Sequence, residues 1–306
     1  MHHWQWWIAL AIPVLLVGDL SAQSKNIAER LGHPADSKLL IVHADDLAVA
    51  HSVDSASFDA LEKNAVTSAS ILMPCPWLTE VANYANAHPE ADLGLHLDLT
   101  SEWNTYRWGP VESKDKVASL LNSAGTFWNQ SAPVAAHAKP EEAEREIRAQ
   151  VERALALGIH PTHLDTHMGS LFSTPALIAA YVKVAHEYHL PFLALRIPGA
   201  NLSALSDKDV VLDAIVIANP NLRRDQWKDF YLNAIKALKP GLTEMIVHLG
   251  HDDAELQAIT VGQEAFGSAW RQRDYDVVTS PEFKQALVEN HVILVRWRDL
   301  QKLLDQ

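Results

Sequence analysis

Short apolar runs alternate with longer amphipathic stretches along most of this chain. The amphipathic stretches repeat their apolar residues every three or four positions, which is typical of helices with one buried face. The apolar runs have the length of strands that are buried in a sheet. Candidate strands are KLLIVHAD (38–45), TSASILMP (67–74), DLGLHLDL (92–99), PTHLDTHM (161–168), FLALRIP (192–198), DAIVIAN (213–219), EMIVHLG (244–250) and HVILVRW (291–297).

Helical patterns lie between several of these runs. One follows Ser52, a good N-cap, and another opens at Pro140 and closes at Gly158. Alternation of strand and helix predicts an α/β fold with a parallel sheet. About eight such units predict a distorted (β/α) barrel of the TIM type. An open, doubly wound sheet is the alternative.

The first 22 residues differ from the rest of the chain. The run WWIALAIPVLLVG is followed by Leu20-Ser21-Ala22, an ending typical of signal-peptidase cleavage. We therefore predict a signal peptide over 1–22, a linker over 23–37 and a single barrel domain over 38–306. Cleavage would export the protein to the periplasm or the medium, with no stable membrane insertion once processed. An uncleaved anchor helix is the alternative.

Composition narrows the classes of function. The chain carries 25 basic and 38 acidic residues, a formal net charge of −13, which argues against nucleic acid as a partner. Its single cysteine, Cys75, cannot form an internal disulfide. The sequence lacks the G-x-S-x-G elbow of serine hydrolases and the Walker loop of nucleotide hydrolases. Apolar residues make up 48% of the chain, and the core that they form must supply the stability of the fold.

Polar side chains with metal-binding chemistry end four of the predicted strands. The carboxyl ends of parallel strands converge, so these side chains should share one cleft. A lone histidine there is usually a hydrogen-bonded residue and paired aspartates are often helix caps, but recurrence on four strands favours a shared divalent-metal site. These residues are His43, Asp45 and Asp46 on the first strand, His96 and Asp98 on the third, His163, Asp165 and His167 on the fourth, and His248 on the seventh.

Two features of the chain bear on the shape of this cleft. Asp45 and Asp46 are neighbours, so a regular strand would point them to opposite faces. Both can reach one site only if the strand ends or bulges there, with Leu47 already in a turn. The segment 100–139 has no clear period and should lie above the carboxyl ends of the strands.

Four motifs in this order, HADD, GLHLDLT, PTHLDTH and IVHLGH, resemble those of the YdjC-like carbohydrate deacetylases, the ChbG/HpnK family. The resemblance runs from about Lys38 to the carboxyl terminus and includes RQRDYDVVTSPEFKQAL. It implies a distorted (β/α) barrel, one divalent metal ion and an N-acetylated sugar as substrate. A metal-dependent amidase or phosphoesterase of another kind, or a sugar-binding protein without turnover, is the alternative.

The resemblance also implies roles for individual residues. Asp46, His96 and His167 would bind the metal, Asp45 would be the catalytic base, and His248 would be a second acid–base group. Zinc suits one carboxylate and two imidazoles, whereas the family implies magnesium. The oligomeric state, including a homodimer, is left open. Supporting roles are expected for His43, Asp98, His163, Asp165, Arg271 and Asp274. The candidates for stacking on sugar rings are Trp103, Tyr106, Trp108 and Trp128, with core or loop packing as the alternative.

Overall fold

The structure is a computed structural model that describes residues 26–196 and 205–305. The predicted signal peptide therefore lies outside the described residues. Within them, none of the helices combines the length and the apolar character needed to cross a membrane.

Strands and helices alternate along the chain, as the hydrophobic pattern predicts. The strands are β1 (Lys38–Leu47), β2 (Ser68–Ile71), β3 (Leu93–Leu97), β4 (Leu164–Thr166), β5 (Ala214–Ile217), β6 (Gly241–Val247) and β7 (Val292–Leu294). The helices are α1 (Ile27–Arg30), α2 (His51–Glu62), α3 (Leu78–Ala87), α4 (Ser131–His137), α5 (Pro140–Ala156), α6 (Pro175–Glu187), α7 (Trp227–Ala237), α8 (Ala254–Ile259), α9 (Ser268–Val278), α10 (Pro281–Glu289) and α11 (Trp297–Gln301).

All the strand pairs are parallel, and β1 is at their centre. It pairs with β6 from Lys38 to Ala44, while its other edge pairs first with β7 and then, towards its carboxyl end, with β2. The order of the main sheet is β4-β3-β2-β1-β6-β5. Because β7 shares an edge of β1 with β2, the ring of strands is irregular.

Isolated bridges join the two ends of this sheet. Leu164 of β4 bridges Phe192, and Leu195 bridges Leu212, just before β5. Backbone hydrogen bonds of 2.8 Å, from Leu193 N to Leu164 O and from Leu212 N to Ala194 O, support these bridges. The strands therefore form the predicted distorted barrel, and the open-sheet alternative is wrong. Of the predicted strand 192–198, the described residues 192–196 contribute only these bridges.

Two details of the predicted elements differ from the structure. Helix α2 begins at His51 after Ala50, so Ser52 is not its N-cap; its hydroxyl donates instead to Asp253 (2.7 Å) and Glu255 (2.7 Å). The predicted linker contains α1, which carries a capping box and buries Ala28 in a small apolar cluster with residues of β1, β6 and α11. Residues 26–37 thus pack against the barrel.

The irregular segment 100–139, called the insert below, covers the carboxyl ends of the strands as predicted. Tyr106 donates its hydroxyl to the backbone oxygen of Val49, after β1 (2.8 Å). Ser131 donates to the backbone oxygen of Met168, after β4 (2.8 Å). The insert therefore spans the mouth of the barrel between these two connections.

Candidate active site

A bulge at the end of β1 brings Asp45 and Asp46 to one cleft. The register with β2 shifts between Ala44 and Leu47. Asp46 has a φ of 73° and Ala48 a φ of 75°, in the left-handed region that residues other than glycine seldom adopt. Such strain persists where the surrounding structure fixes it, often at functional sites. The prediction that the strand must bulge here is confirmed. Leu47, however, still pairs with Ile71 of β2, so the turn begins at Ala48 and not at Leu47.

Asp46, His96 and His167 meet at the carboxyl ends of β1, β3 and β4. Asp46 Oδ1 lies 3.4 Å from His96 Nε2 and 3.4 Å from His167 Nδ1. All three side chains are buried, and Asp46 Oδ1 has no hydrogen-bond partner among the described residues. A buried, unpartnered carboxylate oxygen facing two imidazole nitrogens fits a divalent cation.

The second polar atom of each of these side chains is held by a neighbour. Asp165 Oδ1 accepts from His96 Nδ1 (2.6 Å), and Glu102 Oε2 lies 3.0 Å from His167 Nε2. Arg271 Nη2 donates to Asp46 Oδ2 (2.6 Å). Such outer hydrogen bonds fix the ring tautomer and aim the free atom at a metal. The three free atoms, Asp46 Oδ1, His96 Nε2 and His167 Nδ1, therefore point to one position.

Electrostatics in this cluster favour a cation. Burial alone would lower the pKa of His96, but Asp165 and Asp45 outweigh it and raise the pKa to about 9. Burial likewise opposes ionisation of Asp46, yet the Arg271 guanidinium holds its pKa well below the usual range. Without an ion, the raised pKa of His96 favours the protonated imidazole near pH 7, so a divalent cation would have to displace that proton.

Two other buried groups have ligand-like spacing, His43 with His163 and Asp165, and Asp45 with His96 and Asp165. Both depend on Asp165. Its Oδ1 is hydrogen-bonded to His96, and its Oδ2 lies 3.1 Å from His43 Nε2. Because Asp165 is already committed to these imidazoles, the group around Asp46 fits an ion best.

Asp45 and His248 flank the cluster. Asp45 Oδ2 lies 3.7 Å from His248 Nε2 and 3.7 Å from His96 Nε2, while Oδ1 lies 3.2 Å from His43 Nε2. Burial lowers the pKa of His248 to about 4, although Asp46 and Asp45 oppose the shift. The imidazole is therefore neutral near pH 7, and it must receive a proton before it can donate one.

The other residues predicted from the sequence form hydrogen bonds and packing contacts around these groups. Asp274 accepts from the backbone N–H of His248 (3.0 Å), and Asp98 accepts from Trp108 Nε1 (2.5 Å). His163 lies deeper in the barrel, stacked on Trp297 with ring centroids 5.0 Å apart. His43 is hydrogen-bonded to Ser70 Oγ (3.0 Å) beneath Asp45.

The aromatic residues of the insert are mostly structural. Trp103 is 2% exposed and lies under the Arg271 guanidinium, and Trp108 is 6% exposed. Neither has an open face, so the prediction that they stack on sugar is wrong. Tyr106 and Trp128 are half-buried, and Trp128 stacks on His137 with ring centroids 4.7 Å apart.

Glu102 and Phe266 are neighbours of the cleft that the sequence did not indicate. Glu102 holds His167 from within the insert, where no period or spacing rule applies. Phe266 packs on His248 from the connection between α8 and α9. The sequence offered one indication of Glu102: it is a carboxylate four residues after Asp98, in the segment predicted to cross the barrel mouth.

Fold and site together define a distorted (β/α) barrel with a buried Asp–His–His cluster at the carboxyl ends of its strands. The family model described as YdjC-like protein matches residues 39–289. The chain belongs to this family.

Similar proteins cover nearly the whole chain. A protein of Thermus thermophilus named carbohydrate deacetylase is 30% identical over 290 residues, covering 91% of this chain and 99% of that protein. A protein of the same name from Geobacillus stearothermophilus is 28% identical over 268 residues, covering 86% and 98%. A crystal structure of a putative cellobiose-phosphate cleavage protein from Enterococcus faecalis shares the fold, with a TM-score of 0.72, 23% identity and coverage of 87% and 99%.

Proposed function

We propose that this protein is a metal-dependent hydrolase that removes N-acetyl groups from an amino sugar or its oligosaccharide. The observation that carries the proposal is the buried cluster of Asp46, His96 and His167, with its free ligand atoms beside the carboxylate of Asp45. Relatives named carbohydrate deacetylase, similar over nearly their full length, support the substrate class.

A divalent ion held by Asp46, His96 and His167 would polarise the acetyl carbonyl and lower the pKa of a water molecule. One carboxylate and two imidazoles suit zinc, and magnesium is the other candidate. Metal analysis of protein purified without added ions distinguishes them.

The side chains beside the ion would handle the protons. Asp45 Oδ2 faces the cleft and would take a proton from the attacking water. As the oxygen of that water bonds to the acetyl carbon, the C–N bond breaks and the amine leaves with a proton. His248, 3.7 Å from Asp45 Oδ2, can relay that proton because its imidazole starts neutral. The products are acetate and the free amino sugar.

The experiment is an assay of acetate release from N-acetylglucosamine oligomers. We expect turnover that a chelator abolishes and that zinc or magnesium restores. Binding of the sugars without acetate release, with any divalent ion, would favour a sugar-binding protein instead. Release from non-sugar amides or phosphoesters alone would assign the protein to another class of hydrolase.

We further propose that the protein is exported, on the basis of the apolar run that ends in Leu20-Ser21-Ala22. The mature chain should then begin near Gln23. Amino-terminal sequencing of protein from the native host tests this, and recovery of Met1 would contradict it.

A further inference from the structure

Phe266 lies beside the proposed catalytic groups. Its ring packs on His248 with centroids 4.8 Å apart and an interplanar angle of 62°. His248 in turn lies 3.7 Å from the carboxylate of Asp45. The side chain of His248 is 12% exposed, so it reaches the surface of the cleft. Phe266 therefore borders the place where the scissile amide must lie.

One face of the Phe266 ring is covered, and the ring is not fully buried. Trp270, which is buried, lies against it with centroids 4.5 Å apart at 34°. His248 meets the ring at a steep angle, and Phe266 as a whole is half-buried. Trp270 thus covers part of the ring, and Phe266 keeps part of its surface accessible beside His248.

The backbone holds this ring in a strained conformation. Phe266 has a φ of 57°, and its carbonyl accepts from Arg271 Nε (2.8 Å). A Cβ at the next residue, Gly267, would lie 2.2 Å from Gln263 O, so only glycine allows the turn. Arg271 also donates to Asp46. The position of the ring is therefore tied to the proposed metal ligand, and strain of this kind persists where function requires it.

From this arrangement we infer that Phe266 is the aromatic platform on which the apolar face of the sugar ring stacks. The inference rests on the proposed function. Sugar rings present C–H groups on one face, and aromatic rings are the side chains best suited to contact them. Trp103 and Trp108 are buried and cannot serve. Tyr106 is held by Val49 O, and Trp128 already stacks on His137. Phe266, in contrast, lies next to His248, the proposed proton donor to the sugar nitrogen.

The test uses a parent variant, Asp45→Asn, in which turnover is slowed by about 10²–10⁴ so that binding can be measured. Calorimetry would follow its binding of the β-1,4-linked dimer of N-acetylglucosamine, with zinc present. Adding Phe266→Ala should weaken binding about tenfold, and adding Phe266→Trp should keep it within about twofold. Phe266→Leu, which keeps the bulk above Trp270, should also lose affinity, so a folding defect is separable from loss of the flat ring.

Phe58→Ala is the matched control. Phe58 is half-buried and stacks on Tyr84, with centroids 3.8 Å apart, on the outer helices α2 and α3. It should lower the melting temperature without changing affinity for the dimer. Equal affinity of the parent and its Phe266→Ala variant would overturn the inference.

Binding of the deacetylated dimer tests whether Phe266 contacts the sugar ring or the acetyl group. Its ring face is unchanged, so Phe266→Ala should weaken its binding by the same factor. A loss confined to the acetylated dimer would place Phe266 against the acetyl methyl group and overturn the assignment. If the parent itself does not bind the acetylated dimer, the proposed sugar substrate fails, and this inference fails with it.

Discussion

The cluster of Asp46, His96 and His167 and the insert both lie at the carboxyl ends of the strands, yet they are built differently. In the cluster, Asp46, His96 and His167 each hold one atom free and bind an outer partner with the other. In the insert, Trp103 and Trp108 turn inward and are buried.

This difference indicates separate roles for the cluster and the insert. Regular strands aim polar side chains into a cleft by their alternation, and buried partners then fix them. In the insert, aromatic side chains pack against the barrel. Trp108 Nε1, for example, donates a hydrogen bond to Asp98, which follows β3 (2.5 Å). Losses in the cluster should therefore affect metal and turnover, and losses in the insert should affect stability.

The largest effect should follow removal of a proposed ligand. His167→Ala, like His96→Ala, should reduce bound metal to background and abolish acetate release, because two remaining ligands hold an ion poorly. Metal analysis and the acetate assay measure this. His189→Ala, at an exposed surface histidine, is the control. A full metal complement in both ligand variants would contradict the assignment.

Replacement of the proposed base should come next. Asp45→Asn keeps the shape of the side chain but removes the proton acceptor, so turnover should fall by about 10²–10⁴. Metal content should stay near that of the wild type, since the ion's ligands are intact. Steady-state kinetics with metal analysis separate the two roles, and loss of metal with retained activity would exchange the roles of Asp45 and Asp46.

Metal affinity should depend on pH through the proposed ligands. In the ion-free protein the pKa of His96 is raised to about 9, so below that pH an ion must displace a proton. Affinity should rise with pH, by about 100-fold between pH 6 and pH 8 for each displaced proton. Calorimetry in buffers of different ionisation heat counts the protons. Affinity that is constant across this range would contradict the prediction.

The outer partners should have smaller effects than the ligands. Asp165→Asn and Glu102→Gln remove a carboxylate that orients His96 or His167, and should each weaken metal binding by about 10–100-fold. Excess metal should restore much of the turnover. Competition with a chromophoric chelator gives the affinities. If either variant bound metal as the wild type does, the histidine in question would not need its outer partner.

The smallest effect on catalysis should come from the insert. Trp108→Phe removes the donor to Asp98 Oδ2, while the backbone N–H of Thr100 still donates to Oδ1 (2.8 Å). Loss of this buried hydrogen bond should lower the free energy of unfolding by about 1–3 kcal/mol. The KM for the sugar should change by less than about twofold, because Trp108 has no open face. Urea unfolding and kinetics test this, with Trp77→Phe at an exposed position as control. A raised KM with unchanged stability would make the insert part of the substrate site.

The sequence predicted those features that follow from regular geometry. Alternation along β3 and β4 placed His96 and His167 in the cleft, and the adjacency of Asp45 and Asp46 required the observed bulge. Parallel pairing then explains why polar residues from separate strands meet.

Features in irregular segments did not follow from the pattern. Glu102 and Phe266 lie in connections whose path depends on tertiary contacts, so no period placed them in the cleft. The burial of Trp103 could not be predicted either, because an aromatic residue in a loop is compatible both with stacking on a sugar and with packing in the core. The ring of strands closes through single bridges at Phe192 and Leu195. The apolar pattern of this segment does not distinguish such bridges from a full strand.

We propose that Asp46, His96 and His167 together bind one catalytic divalent ion. Anomalous diffraction from crystals grown with zinc or manganese tests it most directly. We expect an anomalous peak about 2.0–2.2 Å from Asp46 Oδ1, His96 Nε2 and His167 Nδ1. A well-occupied peak elsewhere in the barrel, with these three atoms left uncoordinated, would contradict it.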